Sequence, residues 1–263
     1  MERERFEAQG FVVLICCDSN FFELAQVFER NLLRVQGSYP VIGDLGLTEA
    51  QRAALRSELI DLRCDGSFRE MCEAGYILAT HKPAAIREVI RRFGLPCLAL
   101  DADMLLTARL HPAECGGADI AVTPRMRRRA KRFEDHRNGY LNSGFFYAAA
   151  TPEADAFLAD WQRRCEAEDK SDQLILSEMT QDWKGDPLGA CIARGGLRLV
   201  KLPPRIYNDT RHYRGKVIHF KTLGRGGKSR LKWERIAGRM QRAPRLHGAL
   251  LALLRRLAEP FLR

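Results

Sequence analysis

Two carboxylates, Asp101 and Asp103, stand two residues apart directly after an unbroken apolar stretch, Cys97-Leu98-Ala99-Leu100. An extended chain repeats every two residues, so both acids can project to the same side. Two like charges that close repel unless a cation lies between them. Hard divalent ions such as Mg²⁺ or Mn²⁺ take oxygen ligands and bridge carboxylates to phosphates. The chemistry open to this pair is metal-assisted handling of a phosphorylated substrate. The same acids would also serve simply to end a strand and cap a helix. Residues downstream have to separate the two readings.

Further candidates follow in the chain. His219 closes Val217-Ile218-His219-Phe220-Lys221, an apolar stretch that reads as a late strand. A histidine there is ordinarily structural, but with two carboxylates an imidazole completes a ligand set suited to Mn²⁺. The tract after it, Gly224-Arg225-Gly226-Gly227-Lys228, offers flexible glycines and cations to a diphosphate. In Tyr140-Leu141-Asn142-Ser143-Gly144-Phe145-Phe146-Tyr147, three small residues interrupt an aromatic strand. Glycine there permits close approach of a ligand or another backbone, and the Asn142 amide suits sugar hydroxyls. Asp172 and Gln173 open a helix, where they serve either as caps or as ligand contacts. Lys82, in His81-Lys82-Pro83, is a phosphate contact or a solvated lysine. The run 125–132, six of its eight residues basic, reads as a solvated loop. Because it follows a strand, it could overhang the site and grip an anionic substrate or a lipid headgroup.

These residues need elements to hold them. The apolar runs 11–17 and 96–100 read as strands buried on both faces, the parallel kind. In open α/β sheets, ligands bind beyond the carboxyl ends of such strands, which is where Asp18, Asp101 and Asp103 fall. Phe21, Leu24, Phe28, Leu32 and Val35 recur at helical spacing. A shorter strand spans 39–44. Thr48-Glu49-Ala50-Gln51 forms a capping box for a helix expected to carry Leu55, Leu59 and Leu62. Residues 63–75 read as loop and a short helix. Pro83 suits the first position of another helix, with Ile86, Val89, Ile90 and Phe93 on its apolar face. A strand is expected at 118–123, and Thr151-Pro152 starts a helix whose Phe157, Trp161 and Cys165 face the core. Residues 183–196 read as loop, 197–200 as a strand and 203–208 as an extended connector. The charged N-terminus is expected to lead directly into the first strand. Near the C-terminus, Leu246, Leu250, Leu253, Leu254 and Leu257 share one face of a basic amphipathic helix, packed on the body or laid on anionic lipid.

The whole is an α/β chain: one Rossmann-like domain with a mixed, mostly parallel central sheet flanked by helices, then a C-terminal helical extension. The division falls at 1–228 for the domain and 229–263 for the tail. Its 263 residues allow a sizeable core, and the net charge of +10 favours anionic partners. No stretch is long and apolar enough to span a bilayer, and the charged start is not a secretory signal. The scattered cysteines suit reduced thiols. A cytoplasmic protein is expected, with peripheral contact to the anionic inner membrane face. Neither the dinucleotide Gly-x-Gly-x-x-Gly fingerprint nor the P-loop motif is present.

The order of motifs resembles one family. Cys17-Asp18-Ser19, the Asp44-Leu45-Gly46-Leu47 turn, His81-Lys82-Pro83, Leu100-Asp101-Ala102-Asp103, Asn142-Ser143-Gly144-Phe145-Phe146, Asp172-Gln173 and His219-Phe220 are similar to the series in GT-A glycosyltransferases of the nucleotide-diphospho-sugar transferase type. Glycogenin-like and rhamnogalacturonan xylosyltransferase-like enzymes lie nearest. The resemblance runs from residue 11 to about 228. It differs at His81, where many relatives carry an aromatic residue, and after His219, where their Lys-Pro-Trp is missing.

The resemblance implies a role for each position. Asp101, Asp103 and His219 would bind Mn²⁺ or Mg²⁺ on the diphosphate of a nucleotide-sugar donor, a UDP-sugar first of all. Lys82, Lys221 and Lys228 would meet phosphate or ribose. Cys17, Asp18 and Ala102 would line the donor, with Asp18 at the nucleoside. Asn142 would contact the sugar, and Asp172 and Gln173 would be catalytic, one of them beneath the sugar. The implied reaction moves the sugar to a glycan, a lipid-linked precursor or another hydroxyl acceptor, with retention. Two other classes fit less well. A nucleotidyltransferase acting on a sugar phosphate would carry a glycine-rich signature after its first strand, and none is present. A basic nucleic-acid-binding protein would show a recognition motif, so no nucleic-acid partner is expected.

Overall fold

The structure, a computed structural model, describes residues 2–62, 81–126, 139–168, 170–221 and 228–242. Helix α1 (Glu2–Gln9) comes first, so the charged N-terminus does not run directly into a strand. Its charges form Arg3–Glu7 and Arg5–Glu2 pairs along the helix. Its one buried aromatic, Phe6, meets Phe93 edge-on, ring centroids 5.4 Å apart. That single anchor explains why no apolar periodicity marked the helix.

Strand β1 (Val12–Cys17) is followed by helix α2 (Phe22–Gln36), strand β2 (Val41–Asp44), helix α3 (Glu49–Ala53) and strand β3 (Glu58–Asp61). The Thr48–Gln51 capping box forms, but the helix it opens ends at Ala53 and Leu59 lies on β3, paired with Ile42. The cause is Glu29. Its Oε1 accepts the backbone N–H groups of Arg56 and Ser57, at 3.0 and 2.8 Å. Those donors are then lost to a helix, and the chain leaves extended. The reading at 63–75 lies outside the described residues.

Helix α4 (Lys82–Phe93) carries Pro83 in its first turn and leads to β4 (Cys97–Leu100), β5 (Met104–Leu106) and β6 (Ile120–Pro124). Then come β7 (Leu141–Ala148), α5 (Pro152–Ala167), α6 (Asp172–Met179), β8 (Cys191–Arg194), β9 (Leu197–Lys201), α7 (Pro204–Tyr207), β10 (Val217–His219) and α8 (Lys228–Arg242). Two sequence expectations fail in this half. Residues 183–196 contain β8, which pairs antiparallel with β9 through the two-residue turn Gly195-Gly196. Both glycines have positive φ, 57° and 89°, the backbone that a tight hairpin turn demands. Residues 204–207 are a short helix rather than extended, since Pro204 is pre-set for a first helical position.

The main sheet has the order β3-β2-β1-β4-β7-β6-β9-β8. The β1–β2, β1–β4, β2–β3 and β6–β9 pairings are parallel. Side chains of β1 alternate between two cores. Val13 and Ile15 pack with Leu24, Phe28 and Leu32 of α2. Val12 and Leu14 face the other side with Ile86 and Val89 of α4 and Trp161 of α5. Burial of each such aliphatic side chain stabilises by about 2 kcal/mol, which is why these strands read as continuous apolar runs. Trp233, Ile236, Ala237 and Met240 of α8 join the α2 side. Residues 243–263, with the leucine-bearing part of the tail, lie outside the described residues.

A second, two-stranded sheet decides where the site forms. β5 pairs antiparallel with β10, and Met104 stands opposite His219. The Phe220 N–H donates to the Asp103 carbonyl at 3.1 Å. This pairing returns the late strand to the acidic end of β4.

Candidate active site

Asp101, Asp103 and His219 converge, each offering a ligand atom within 4.8 Å of the others. His219 Nε2 lies 3.3 Å from Asp103 Oδ1 and 3.6 Å from Asp101 Oδ2. His219 is buried, while the Asp101 side chain keeps 34% of its exposure. Asp103 Oδ1 is buried and accepts no hydrogen bond among the described residues. An orphaned carboxylate oxygen facing an imidazole and a second carboxylate costs energy without a cation. Two carboxylate oxygens and one imidazole nitrogen fit Mn²⁺ or Mg²⁺.

Lys82 is buried beside this group. Its Nζ donates to Asp101 Oδ1 at 2.7 Å and to the Ser143 carbonyl at 2.8 Å. Burial disfavours the charged ammonium, but Asp101 and Asp172 outweigh it and hold the Lys82 pKa above its usual value. Burial would likewise raise Asp101, yet Lys82, His219 and Lys221 bring its carboxyl below the ordinary range. Asp172 goes the other way. Burial pushes it up to about 6, against the pull of Lys82 and with the added repulsion of Asp101. Lys221 is lowered by burial and then by Arg125, while Asp101 and Asp103 draw it up. The acidic cluster therefore sits in a field of buried or half-buried cations.

Asn142 and Gln173 meet directly: Asn142 Nδ2 donates to Gln173 Oε1 at 2.7 Å. Gln173 N–H donates to Asp172 Oδ1 at 2.6 Å, within the first turn of α6. Ser171 caps that turn, so Asp172 is spared the capping role and stays buried among Lys82 and Asp101. Gly144 serves the site by its lack of a side chain. A Cβ there would meet Asp101 Oδ2 at 2.5 Å and Met104 Cε at 2.8 Å. The close approach expected at this glycine is made by the carboxylate itself.

The other expected donor residues fall at the ends of β1 and β4 and at the start of α8. Asp18 follows β1 and caps the next turn: Oδ1 accepts from Asn20 N and Phe21 N at 3.0 and 3.1 Å. Cys17 is buried in the core with its thiol pushed up by burial. Ala102 is the buried turn residue between Asp101 and Asp103. Lys228 begins α8, and its side chain, like residues 222–227, lies outside the described residues. The same holds for 127–132 of the basic run; Arg125 donates to the Gly139 carbonyl at 3.1 Å.

One residue at the site escaped sequence reading. Asn208 is buried, and its Oδ1 lies 2.8 Å from His219 Nδ1. Its Nδ2 donates to Thr123 Oγ1 at 2.7 Å and also to Asn142 Oδ1. Nothing in Pro203-Pro204-Arg205-Ile206-Tyr207-Asn208 marks it, because its partners come from β6, β7 and β10.

Comparison with known proteins gives a consistent picture. The family model of nucleotide-diphospho-sugar transferases matches residues 65–216. Among solved structures, the galactosyltransferase LgtC, in complex with donor and acceptor sugar analogues, superposes with a TM-score of 0.51 at 16% identity, covering 86% of this chain and 95% of that one. An active-site mutant of LgtC gives a TM-score of 0.51 at 15% identity over the same shares. This likeness is one of fold. No curated protein sequence matches the chain.

Proposed function

Because the chain belongs to the nucleotide-diphospho-sugar transferase family, a group of glycosyltransferases, we propose that Asp101, Asp103 and His219 hold a divalent cation, Mn²⁺ or Mg²⁺, against the diphosphate of a nucleotide-sugar donor. The convergence of these three residues at the carboxyl end of β4 is the observation that carries the reading. When bound, the ion supplies Lewis-acid stabilisation of the departing nucleoside diphosphate.

The chain's own residues do the rest. Lys82, held charged by Asp101 and Asp172, adds positive field where negative charge grows. Lys221 and Lys228 are assigned to phosphate or ribose, and Cys17, Asp18 and Ala102 to the donor's rim. Asn142, Asp172 and Gln173, joined to one another by hydrogen bonds, are assigned to the sugar. The transfer is to a hydroxyl of a glycan or lipid-linked acceptor. Retention by a front-face route suits this set better than a covalent intermediate. Gln173 Oε1 already accepts from Asn142, and Asp172 Oδ1 already accepts the Gln173 N–H. We assign 1–228 to the catalytic unit and 229–263 to a tail, with peripheral attachment to an anionic membrane face as the tail's role. No described helix is long and apolar enough to cross a membrane.

The test is a panel of nucleotide sugars, UDP-sugars first, incubated with Mn²⁺ while free nucleoside diphosphate is measured. One donor should release it, and chelation or Asp103→Asn should abolish release. Release that is insensitive to both would refute the metal role; no release from any donor would refute the transferase reading.

A further inference from the structure

We propose that Asn208 is a positioning residue: it fixes the His219 ring by accepting a hydrogen bond from Nδ1–H, which leaves Nε2 turned to the two carboxylates, and it ties that ring through a chain of carboxamides to Gln173. The inference rests on the metal-dependent reading above and deepens it.

The amide orientations give the chain its direction. Asn208 Nδ2 has two acceptors, Thr123 Oγ1 at 2.7 Å and Asn142 Oδ1. Its Oδ1 is therefore turned to His219 Nδ1, 2.8 Å away, and accepts an N–H from it. A ring whose Nδ1 keeps its proton can offer the Nε2 lone pair to an ion, and Nε2 is the atom that faces Asp101 and Asp103. Beyond Asn208 the same polarity continues: Asn142 receives at Oδ1 and donates from Nδ2 to Gln173 Oε1, at 2.7 Å. Reversing every amide would put an N–H of Asn208 against Nδ1. Nε2 would then carry the proton, and no lone pair would remain for an ion.

Backbone pairing holds Asn208 in place. The next residue, Asp209, donates its N–H to the Val217 carbonyl at 3.0 Å and accepts the His219 N–H at 3.1 Å. Its carboxylate takes backbone N–H groups of Arg211, His212, Arg214 and Gly215. Asn208 is thus carried alongside β10 rather than on a free loop. Groups that orient a ligating histidine through its other nitrogen raise metal affinity by about 10–100-fold. Here the orienting group is itself hydrogen-bonded to a residue assigned to the sugar.

The experiment uses the full chain and Mn²⁺ itself. In metal-free wild type in mildly alkaline buffer, ¹⁵N NMR of the His219 ring should show a protonated Nδ1. Titration with Mn²⁺ should show binding to the wild type, and Asn208→Leu should weaken it by about 10–100-fold. Asn208→Asp keeps an acceptor for Nδ1–H but has no N–H for Asn142. It should bind Mn²⁺ at least as tightly as wild type while turnover falls. A folded wild type that binds no Mn²⁺ sinks the functional reading and this inference with it. A wild type that binds Mn²⁺ but carries no proton on Nδ1 in its metal-free form overturns this inference alone. So does Asn208→Leu with wild-type affinity, or Asn208→Asp as weak as Asn208→Leu.

Discussion

Gly144 on β7 makes room for the Asp101 carboxylate: a Cβ at Gly144 would lie 2.5 Å from Asp101 Oδ2. The same methyl would press on Met104 Cε at 2.8 Å and Asn142 Oδ1 at 2.9 Å. Gly144→Ala should therefore displace the Asp101 side chain, since β7 is fully buried and cannot yield. Turnover should fall by about a hundredfold, the cost of moving a catalytic group by roughly 1 Å. Mn²⁺ titration should show weakened binding, while circular dichroism stays that of the folded protein. Unchanged affinity would mean that Asp101 does not need this space.

Asp172 carries a stability cost that pH should reveal. Its folded pKa is raised from 3.8 to about 6, chiefly by burial. Between those values the folded chain holds a proton that the unfolded chain has lost. Stability from this group is thus complete below the unfolded pKa and declines as pH rises through about 6, by up to about 3 kcal/mol. In metal-free protein, Asp172→Asn should flatten this decline and raise Tm at neutral pH. Nucleotide-sugar turnover should fall in the same variant. A neutral-pH Tm at or below that of wild type would contradict the account.

Asp119 should show the opposite dependence. Its buried carboxylate accepts from Arg198 N at 2.9 Å, from the Arg198 guanidinium and from Thr151 Oγ1 at 3.1 Å. Burial would raise its pKa, but these donors hold it below the usual range. Its stabilisation is present above the unfolded pKa and lost as pH falls through the folded one. Asp119→Ala should cost about 2–3 kcal/mol at neutral pH, read by urea denaturation, and leave Mn²⁺ affinity unchanged. An equal cost in strong acid would sink the assignment.

Much of this was open to reading in the chain. The buried strands announced themselves because β1 and β4 are apolar on both faces. The placement of Asp101 and Asp103 followed from the rule that parallel strands point their ligands past their carboxyl ends. His219 could be named from motif order, but its arrival beside Asp103 depends on β5–β10 pairing between segments far apart in the chain. Helix α1 and strand β8 were missed for a common reason: each buries little, so hydrophobic periodicity is faint. The Gly195-Gly196 pair was the turn signal that would have identified the β8–β9 hairpin. Leu59 went to a strand because Glu29, on another element, captured the backbone after α3. Asn208 had no local signal at all, since its role exists only where β6, β7 and β10 meet.

The central claim is that the His219 imidazole and the two carboxylates grip one divalent ion. Electron spin echo spectroscopy of bound Mn²⁺ reads directly whether a ring nitrogen coordinates it. The wild type should show ¹⁴N modulation from one imidazole, absent in His219→Gln, with weaker binding in Asp101→Asn and Asp103→Asn. Bound Mn²⁺ without nitrogen modulation, or modulation that survives His219→Gln, would contradict the account.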